Sequence, residues 1–361
     1  MIARRAFLAS LMAAPLLPAV DGRRWIPVPS PELEVNGLPW FQANGNEFWR
    51  LPAASKASFR PPVWSLAQSP SGGRIRLRTN STALAVRLEY PSPPNMANMH
   101  AFGQTGVDLY DGAVYRGTAV ADKEAKPGKI YEHVYFNARP REWHEVTLYL
   151  SLYKPVRVLS LGVDSEARLE KAAPFALPKP VVFYGTSITQ GGCASRSGMS
   201  YQAILGRLLN IDFVNLGFSG NGKGEPEVAG AVGQIDAACF VLDFAGNNVT
   251  VASLREVYAP FVDHLRKVHP ATPIVAVTPI YSAREASGGT EHDGMREHIR
   301  QVVSARIGAG DRNLQLVEGT DLLGPSRGDG LVDGSHPNDL GFRWMAEGLA
   351  PRLRTILKLT A

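Results

Sequence analysis

Two residues near the C-terminus could perform acid–base chemistry. Asp333 and His336 lie three positions apart in the run DGSHPN at 333–338, just before a helix-like stretch. A histidine can accept a proton at neutral pH, and a nearby carboxylate can orient its ring and stabilise the imidazolium that forms. The pair therefore reads as a general base and its orienting group, although a capped loop turn would use the same residues.

Ser187 is the matching nucleophile candidate. It follows an apolar run at 181–184 that stops at Gly185, a pattern that exposes a hydroxyl at the carboxyl end of a strand. A serine attacks an acyl carbon when a base removes its proton, and it carries the acyl group until water or another alcohol takes it. Helix capping is the structural alternative for this serine.

Two further segments could supply donors for the oxyanion of a tetrahedral intermediate. They are GFSGNG at 217–222 and AGNN at 245–248, and each follows an apolar, strand-like run. The carboxyl ends of parallel strands meet at one sheet edge, so we expect both segments beside Ser187. Donors fixed there would stabilise the charge that develops on the carbonyl oxygen.

The four blocks, in this order, resemble those of the SGNH or GDSL-type serine hydrolases. The resemblance implies that Ser187 is the nucleophile, His336 the base and Asp333 its orienter. It also implies an oxyanion hole made by Ser187, by the Gly220 amide and by the Asn247 side chain. Thr186 replaces the Asp of GDSL and Asn248 the Asp of GxND; neither is a triad or oxyanion position, so these departures bear on substrate rather than on catalysis.

One branch of that superfamily is especially similar. GTSITQGGCASRSGMSY at 185–201 resembles its first block, and GVDLY at 106–110 resembles the GxDLY signature of its N-terminal β-sandwich domain. Clefts tend to form at domain junctions, so Asp108 and Tyr110 are possible substrate-cleft residues. A hairpin turn leading into Asp111 is the alternative.

The pattern of the chain changes near residue 170. Short alternating runs separated by Gly, Pro and Asn predict an all-β sandwich over 30–170, jelly-roll-like, with one face of each sheet solvated. A proline-rich linker is expected at 171–180. Over 181–361 strands alternate with helices, which predicts an α/β domain with a parallel sheet covered on both faces; the resemblance implies a flavodoxin-like SGNH hydrolase domain. Strands are expected at 181–184, 213–216, 240–244, 274–278 and 314–317, and helices at 199–209, 252–268, 292–307 and 340–357.

The N-terminus has the composition of an export signal. Within 1–22, a twin arginine at Arg4 and Arg5 precedes an apolar stretch that is too short to span a bilayer. This predicts a periplasmic or secreted protein, with the twin-arginine route as one option for export; an uncleaved anchor helix is the alternative. No stable membrane insertion is expected after the signal is removed, because no later run has 18 consecutive apolar residues.

Charge and composition exclude several other functions. The net charge of +5 comes from 38 basic and 33 acidic side chains spread along the chain, which gives no support for nucleic-acid binding. No HExxH, CxxC or GxGxxG pattern is present, so neither a metal nor a cofactor is expected. Cys193 and Cys239 could pair in an oxidising compartment or remain buried thiols.

Together these features predict a secreted serine esterase. The resemblance, together with the expected export, implies that its substrate is a short-chain O-acyl ester, most of all an O-acetyl ester, of a carbohydrate or other metabolite, cleaved through an acyl-enzyme on Ser187. An acyltransferase that uses the same acyl-enzyme is the alternative. A carbohydrate-binding protein with a degenerate hydrolase domain is a third reading, and the complete set of catalytic residue types argues against it.

Overall fold

A computed structural model describes residues 22–360. The predicted export signal therefore lies outside the described residues, apart from Gly22. Among the described residues, no helix is both long and apolar enough to cross a membrane.

The N-terminal half contains two antiparallel sheets. One has the strand order β1-β9-β4-β7 and the other the order β10-β3-β8-β5-β6, with β2 also paired to β3. Side chains such as Leu77, Val86 and Leu148 fill the core between them, which confirms the predicted sandwich. β1 precedes the expected start at residue 30. The bounds are β1 Arg24–Pro27, β2 Glu34–Asn36, β3 Arg74–Thr79, β4 Leu84–Glu89, β5 Val107–Asp111, β6 Val114–Ala119, β7 Ile130–Phe136, β8 His144–Tyr149, β9 Arg157–Val163 and β10 Leu169–Glu170.

The C-terminal half contains a five-stranded, wholly parallel sheet. Its order is β12-β11-β13-β14-β15, which is the 2-1-3-4-5 order of flavodoxin-like folds and confirms the predicted class. The strands read as continuous apolar runs because helices cover both faces. The strands are β11 Val181–Gly185, β12 Phe213–Gly217, β13 Cys239–Asp243, β14 Ile274–Val277 and β15 Leu314–Val317.

The four expected long helices are present, with small differences at their ends. A fifth helix, Pro226–Gly233, was not expected, because its two glycines and short length give a weak helical signal. In chain order the helices are α1 Pro61–Ala67, α2 Ala101–Thr105, α3 Ser187–Gln190, α4 Tyr201–Leu209, α5 Pro226–Gly233, α6 Val251–Val268, α7 Ala283–Ala286, α8 Glu291–Gly308, α9 Gly319–Leu322 and α10 Asp339–Ile356.

The alternating pattern predicts that the outer face of the sheet β10-β3-β8-β5-β6 is solvated, but part of this face is buried. Arg74 and Arg76 on β3 are 2% and 8% exposed, because this face packs against the C-terminal half. The Arg74 guanidinium lies 3.8 Å from the Phe213 ring centroid, pairs with Asp212 and donates to the Phe213 carbonyl oxygen at 3.1 Å. Buried polar groups are tolerated when they are paired and hydrogen-bonded, and these arginines meet that condition.

The connection between β2 and β3 also helps to build the C-terminal half. Its helix α1 buries Val63 and Trp64 in the core on one face of the parallel sheet. The fully buried Arg50 donates to the carbonyl oxygens of Asn215 at 3.1 Å and Gly217 at 2.6 Å, at the end of β12. The parallel sheet is therefore completed by residues that precede it in sequence by more than 100 positions.

Candidate active site

Ser187 lies where the sequence predicts, at the carboxyl end of β11. Gly185 ends this strand, and a Cβ there would lie 2.1 Å from Thr189 Oγ1 and 2.4 Å from the Asp243 carbonyl oxygen, so only glycine fits. Thr186 is the N-cap of α3, and its Oγ1 accepts a hydrogen bond from the Ile188 amide at 3.2 Å. The threonine in place of the Asp of GDSL thus keeps a capping oxygen at this turn.

Ser187, His336 and Asp333 form a connected hydrogen-bonded set. The Ser187 Oγ to His336 Nε2 distance is 2.8 Å, and His336 Nδ1 lies 2.8 Å from Asp333 Oδ2. The loop holds this geometry because the His336 amide donates to Asp333 Oδ1 at 2.9 Å. Serine hydroxyl, imidazole and carboxylate are thereby within the contact distances that proton transfer requires.

The Asp333 carboxylate is kept ionised by its surroundings. Partial burial raises its pKa, but hydrogen bonds from Asn98 and from the His336 amide and ring outweigh burial and hold the pKa well below its usual range. An ionised carboxylate at this position can accept from His336 Nδ1 and stabilise an imidazolium.

The oxyanion candidates line the same cleft as Ser187 and His336. Gly220 has φ of +66°, a left-handed conformation that favours glycine, and its amide has no hydrogen-bond acceptor within residues 22–360. Asn247 Nδ2 donates to the Phe218 carbonyl oxygen at 3.0 Å, which fixes the amide and leaves its second N–H. Ser187 is the first residue of α3, so its amide has no acceptor within that helix.

The cleft has a volume of about 690 Å³. This volume is typical of a small-molecule site. Besides the residues above, its walls include several ionisable side chains: Lys223, Arg284, Glu285, Glu291 and His292.

Asp243 is a cleft residue that the sequence analysis missed. It ends β13 beside the Ser187 turn, is 9% exposed, and burial raises its pKa to about 8. The available signal was an acidic residue at the carboxyl end of a central apolar strand, where parallel sheets carry functional groups.

The two cysteines are unpaired and buried. Cys193 offers its Sγ within 4.8 Å of ligand atoms of Asp333 and His336, the one such cluster among the described residues. Burial, and next the Asp333 charge, raise the pKa of its thiol to about 12. The thiolate is the reactive form of a cysteine, so a thiol held neutral is a poor rival to Ser187 as nucleophile.

Asp108 and Tyr110 do not lie among the residues that line this cleft. Asp108 is fully buried, and its carboxylate accepts from the Gly198 amide at 2.8 Å and from Arg196 Nη1 at 3.1 Å. Arg196 Nη1 also donates to the Tyr110 hydroxyl at 2.5 Å. Both residues hold the segment 193–199 that follows α3 against the β-sandwich.

Comparison with known proteins agrees with this fold. Residues 178–354 match the family model described as GDSL-like lipase/acylhydrolase, and residues 23–169 match the model for the N-terminus of SGNH hydrolase-type esterases. A protein of Bacteroides ovatus described as a GDSL-like lipase is 32% identical over 94% of this chain and 99% of its own, with a TM-score of 0.84. No curated protein sequence matches the chain.

More distant structures share the fold. The salicylyl-acyltransferase SsfX3 from a tetracycline biosynthetic pathway is 23% identical over 94% of this chain and 98% of its own, with a TM-score of 0.79. A family two carbohydrate esterase from Clostridium thermocellum, in complex with cellohexaose, is 17% identical over 80% and 93%, with a TM-score of 0.61. The chain belongs to the GDSL-like lipase/acylhydrolase family, with the GxDLY-type N-terminal domain, and is an ester-hydrolysing enzyme.

Removing the Asp108 carboxylate should weaken the domain contact rather than change substrate choice. We expect Asp108→Ala to lower the free energy of unfolding by about 3 kcal/mol, because it leaves Arg196 and the Gly198 amide without their partner. Its kcat/KM should change by the same factor for a small aryl acetate and for a bulky ester. A loss confined to the bulky ester, at unchanged stability in denaturant unfolding, would instead put Asp108 in contact with substrate.

Asp243 should make stability depend on pH. The native carboxyl keeps its proton up to about pH 8, whereas the unfolded one loses it near pH 4, so ionisation of Asp243 destabilises the fold as pH rises between these values. Asp243→Asn cannot ionise, so its Tm relative to wild type should be higher at pH 9 than at pH 5, by at least about 2 °C. The exposed Asp236→Asn is the control and should show no such trend; a flat difference for Asp243→Asn contradicts the assignment.

Proposed function

We propose that this protein is an exported serine esterase that hydrolyses short-chain O-acyl esters, O-acetyl esters above all, of a carbohydrate or a similarly hydroxylated metabolite. The observation that supports this reaction most directly is the 2.8 Å contact of Ser187 Oγ with His336 Nε2, together with the 2.8 Å contact of His336 Nδ1 with Asp333. This arrangement lets His336 take the serine proton as Oγ attacks the acyl carbon.

The reaction then proceeds through an acyl-enzyme. His336 returns the proton to the leaving alcohol, and the acyl group stays on Ser187 until His336 activates a water that releases the acid. The Gly220 and Ser187 amides and the Asn247 side chain stabilise the oxyanion in both steps. Asp333 keeps the imidazole oriented and stabilises its protonated form.

The substrate class rests on the walls of the cleft. Ionisable side chains in these walls, Lys223 and Glu291 among them, can hydrogen-bond to the hydroxyl groups of such an alcohol. The carbohydrate esterases that share the fold add support from analogy alone. The proposal of export rests on the twin arginine at Arg4 and Arg5. Replacing both arginines by lysine tests it: the protein should then be lost from the periplasmic fraction.

Ser187→Ala should abolish ester turnover while the fold is kept. We expect kcat to fall on the order of 10⁴-fold or more, because the variant removes one member of a unit that acts together. The assay uses p-nitrophenyl acetate, butyrate and octanoate together with acetylated sugars, and kcat/KM should fall as the acyl chain lengthens.

The exposed Ser65→Ala, on α1, serves as the matched control and should behave like wild type. Retention of more than a few per cent of the activity by a folded Ser187→Ala would contradict the assignment of Ser187 as nucleophile. Equal kcat/KM for p-nitrophenyl acetate and octanoate would contradict the short-chain proposal. Faster product release with an added alcohol, with formation of its acyl ester as the main product, would favour acyl transfer over hydrolysis.

A further inference from the structure

The loop of residues 91–100, between β4 and α2, extends from the β-sandwich to Asp333. Asn98 Nδ2 lies 2.9 Å from Asp333 Oδ2, although the two residues are 235 positions apart in sequence. A carboxylate can only accept hydrogen bonds, so the amide nitrogen of Asn98 must be the donor. We propose that Asn98 is a positioning residue for catalysis: it holds the Asp333 carboxylate in the orientation that presents Oδ2 to His336. The inference rests on the proposed roles of Ser187, His336 and Asp333.

The hydrogen bonds of Asp333 explain why an outside donor matters. Oδ1 accepts from the amides of Ser335 at 3.1 Å and His336 at 2.9 Å, and it lies 3.1 Å from His336 Nδ1, all within its own loop. Oδ2 accepts from His336 Nδ1 at 2.8 Å, and the only other donor to it among the described residues is Asn98. The Asp333 side chain is 31% exposed, so without Asn98 water would compete for this oxygen. The bond also favours the ionised carboxylate, which is the form that stabilises an imidazolium.

The loop that presents Asn98 is itself firmly held. Gln104 is 2% exposed, and its Oε1 accepts from the amides of Asn95 at 2.8 Å and Met96 at 3.0 Å. Its Nε2 donates to the carbonyl oxygens of Met96 at 3.1 Å and Met99 at 2.6 Å. The Met99 side chain packs in the core shared with the C-terminal half. Asn98 is thus an exposed residue with a fixed backbone, and through it the β-sandwich helps to orient the Asp333 carboxylate.

Kinetics of Asn98→Ala test the proposal. We expect kcat to fall about 3- to 10-fold, because the variant loses one hydrogen bond to a partly exposed charged group, while KM stays within about twofold. The fall should be equal for p-nitrophenyl acetate and for an acetylated sugar. Asn95→Ala is the control: it lies in the same loop, is exposed, and only its backbone amide is used in a hydrogen bond. An Asn98→Ala that matches Asn95→Ala, or that raises KM for the sugar alone, overturns the proposal.

Asn98→Asp separates positioning of the carboxylate from mere support of the loop. Its new carboxyl group would face the Asp333 carboxylate, with His336 and Cys193 as the other titratable groups around Asp333. Two adjacent carboxylates retain a proton more readily, and the protonated group can donate where the ionised group cannot. The ratio of kcat for Asn98→Asp to kcat for Asn98→Ala should therefore rise as pH falls from 8 to 5. A ratio that does not change with pH contradicts a role through Asp333.

Ser187→Ala, assayed alongside, distinguishes failure of the positioning role of Asn98 from failure of the proposed function. Loss of turnover in Ser187→Ala together with a wild-type kcat in Asn98→Ala overturns the positioning role alone. Turnover retained in Ser187→Ala overturns the proposed function and the positioning role with it.

Discussion

The contact between Ser187 Oγ and His336 Nε2 depends on the whole C-terminal half. It joins residues 149 positions apart, one on the turn after β11 and the other in the loop before α10. A five-stranded parallel sheet brings the two loops to one edge. Gly185 and the Thr186 cap fix the tight turn between β11 and α3 that presents Ser187. The Gly220 and Asn247 turns end neighbouring strands, so the same edge places the oxyanion candidates beside them.

The β-sandwich is a structural part of this site rather than a separate module. Arg50 and the helix α1 complete one face of the parallel sheet, and Arg74 fixes the start of β12. Asp108 binds the segment that follows α3, the short helix that begins at Ser187. A domain that contributes donors and core side chains in this way cannot be removed without exposing buried charge and apolar surface. We therefore expect activity in this chain to depend on the domain contact whether or not the β-sandwich touches substrate.

Local chemistry could be predicted from the sequence, and contacts between domains could not. The Ser187 turn, the DGSHPN loop and the alternation of strands with helices follow from short patterns whose physical meaning is local, such as an apolar run ended by glycine. Arg74 and Arg76 alternate with apolar residues and looked solvated, yet both are buried, because alternation reports two faces without saying what covers the second. Asp108 belongs to a motif that indicates an important residue, but a motif does not say which side of a domain interface that residue faces. Asn98 carries no motif, and only the packing of distant segments reveals its contact with Asp333. Asp243 had a signal in its place at the end of an apolar strand, but the sequence does not show that it is buried.

The central claim is that Ser187 is a nucleophile activated by His336. Reaction of the intact protein with an alkyl fluorophosphonate, followed by mass spectrometry of the digested chain, tests it directly, because the reagent forms a stable adduct with an activated serine. The account predicts one adduct per chain, on Ser187, that forms as activity is lost and far more slowly in His336→Ala. Full inactivation with the adduct on another residue, or an active enzyme with Ser187 fully modified, would contradict it.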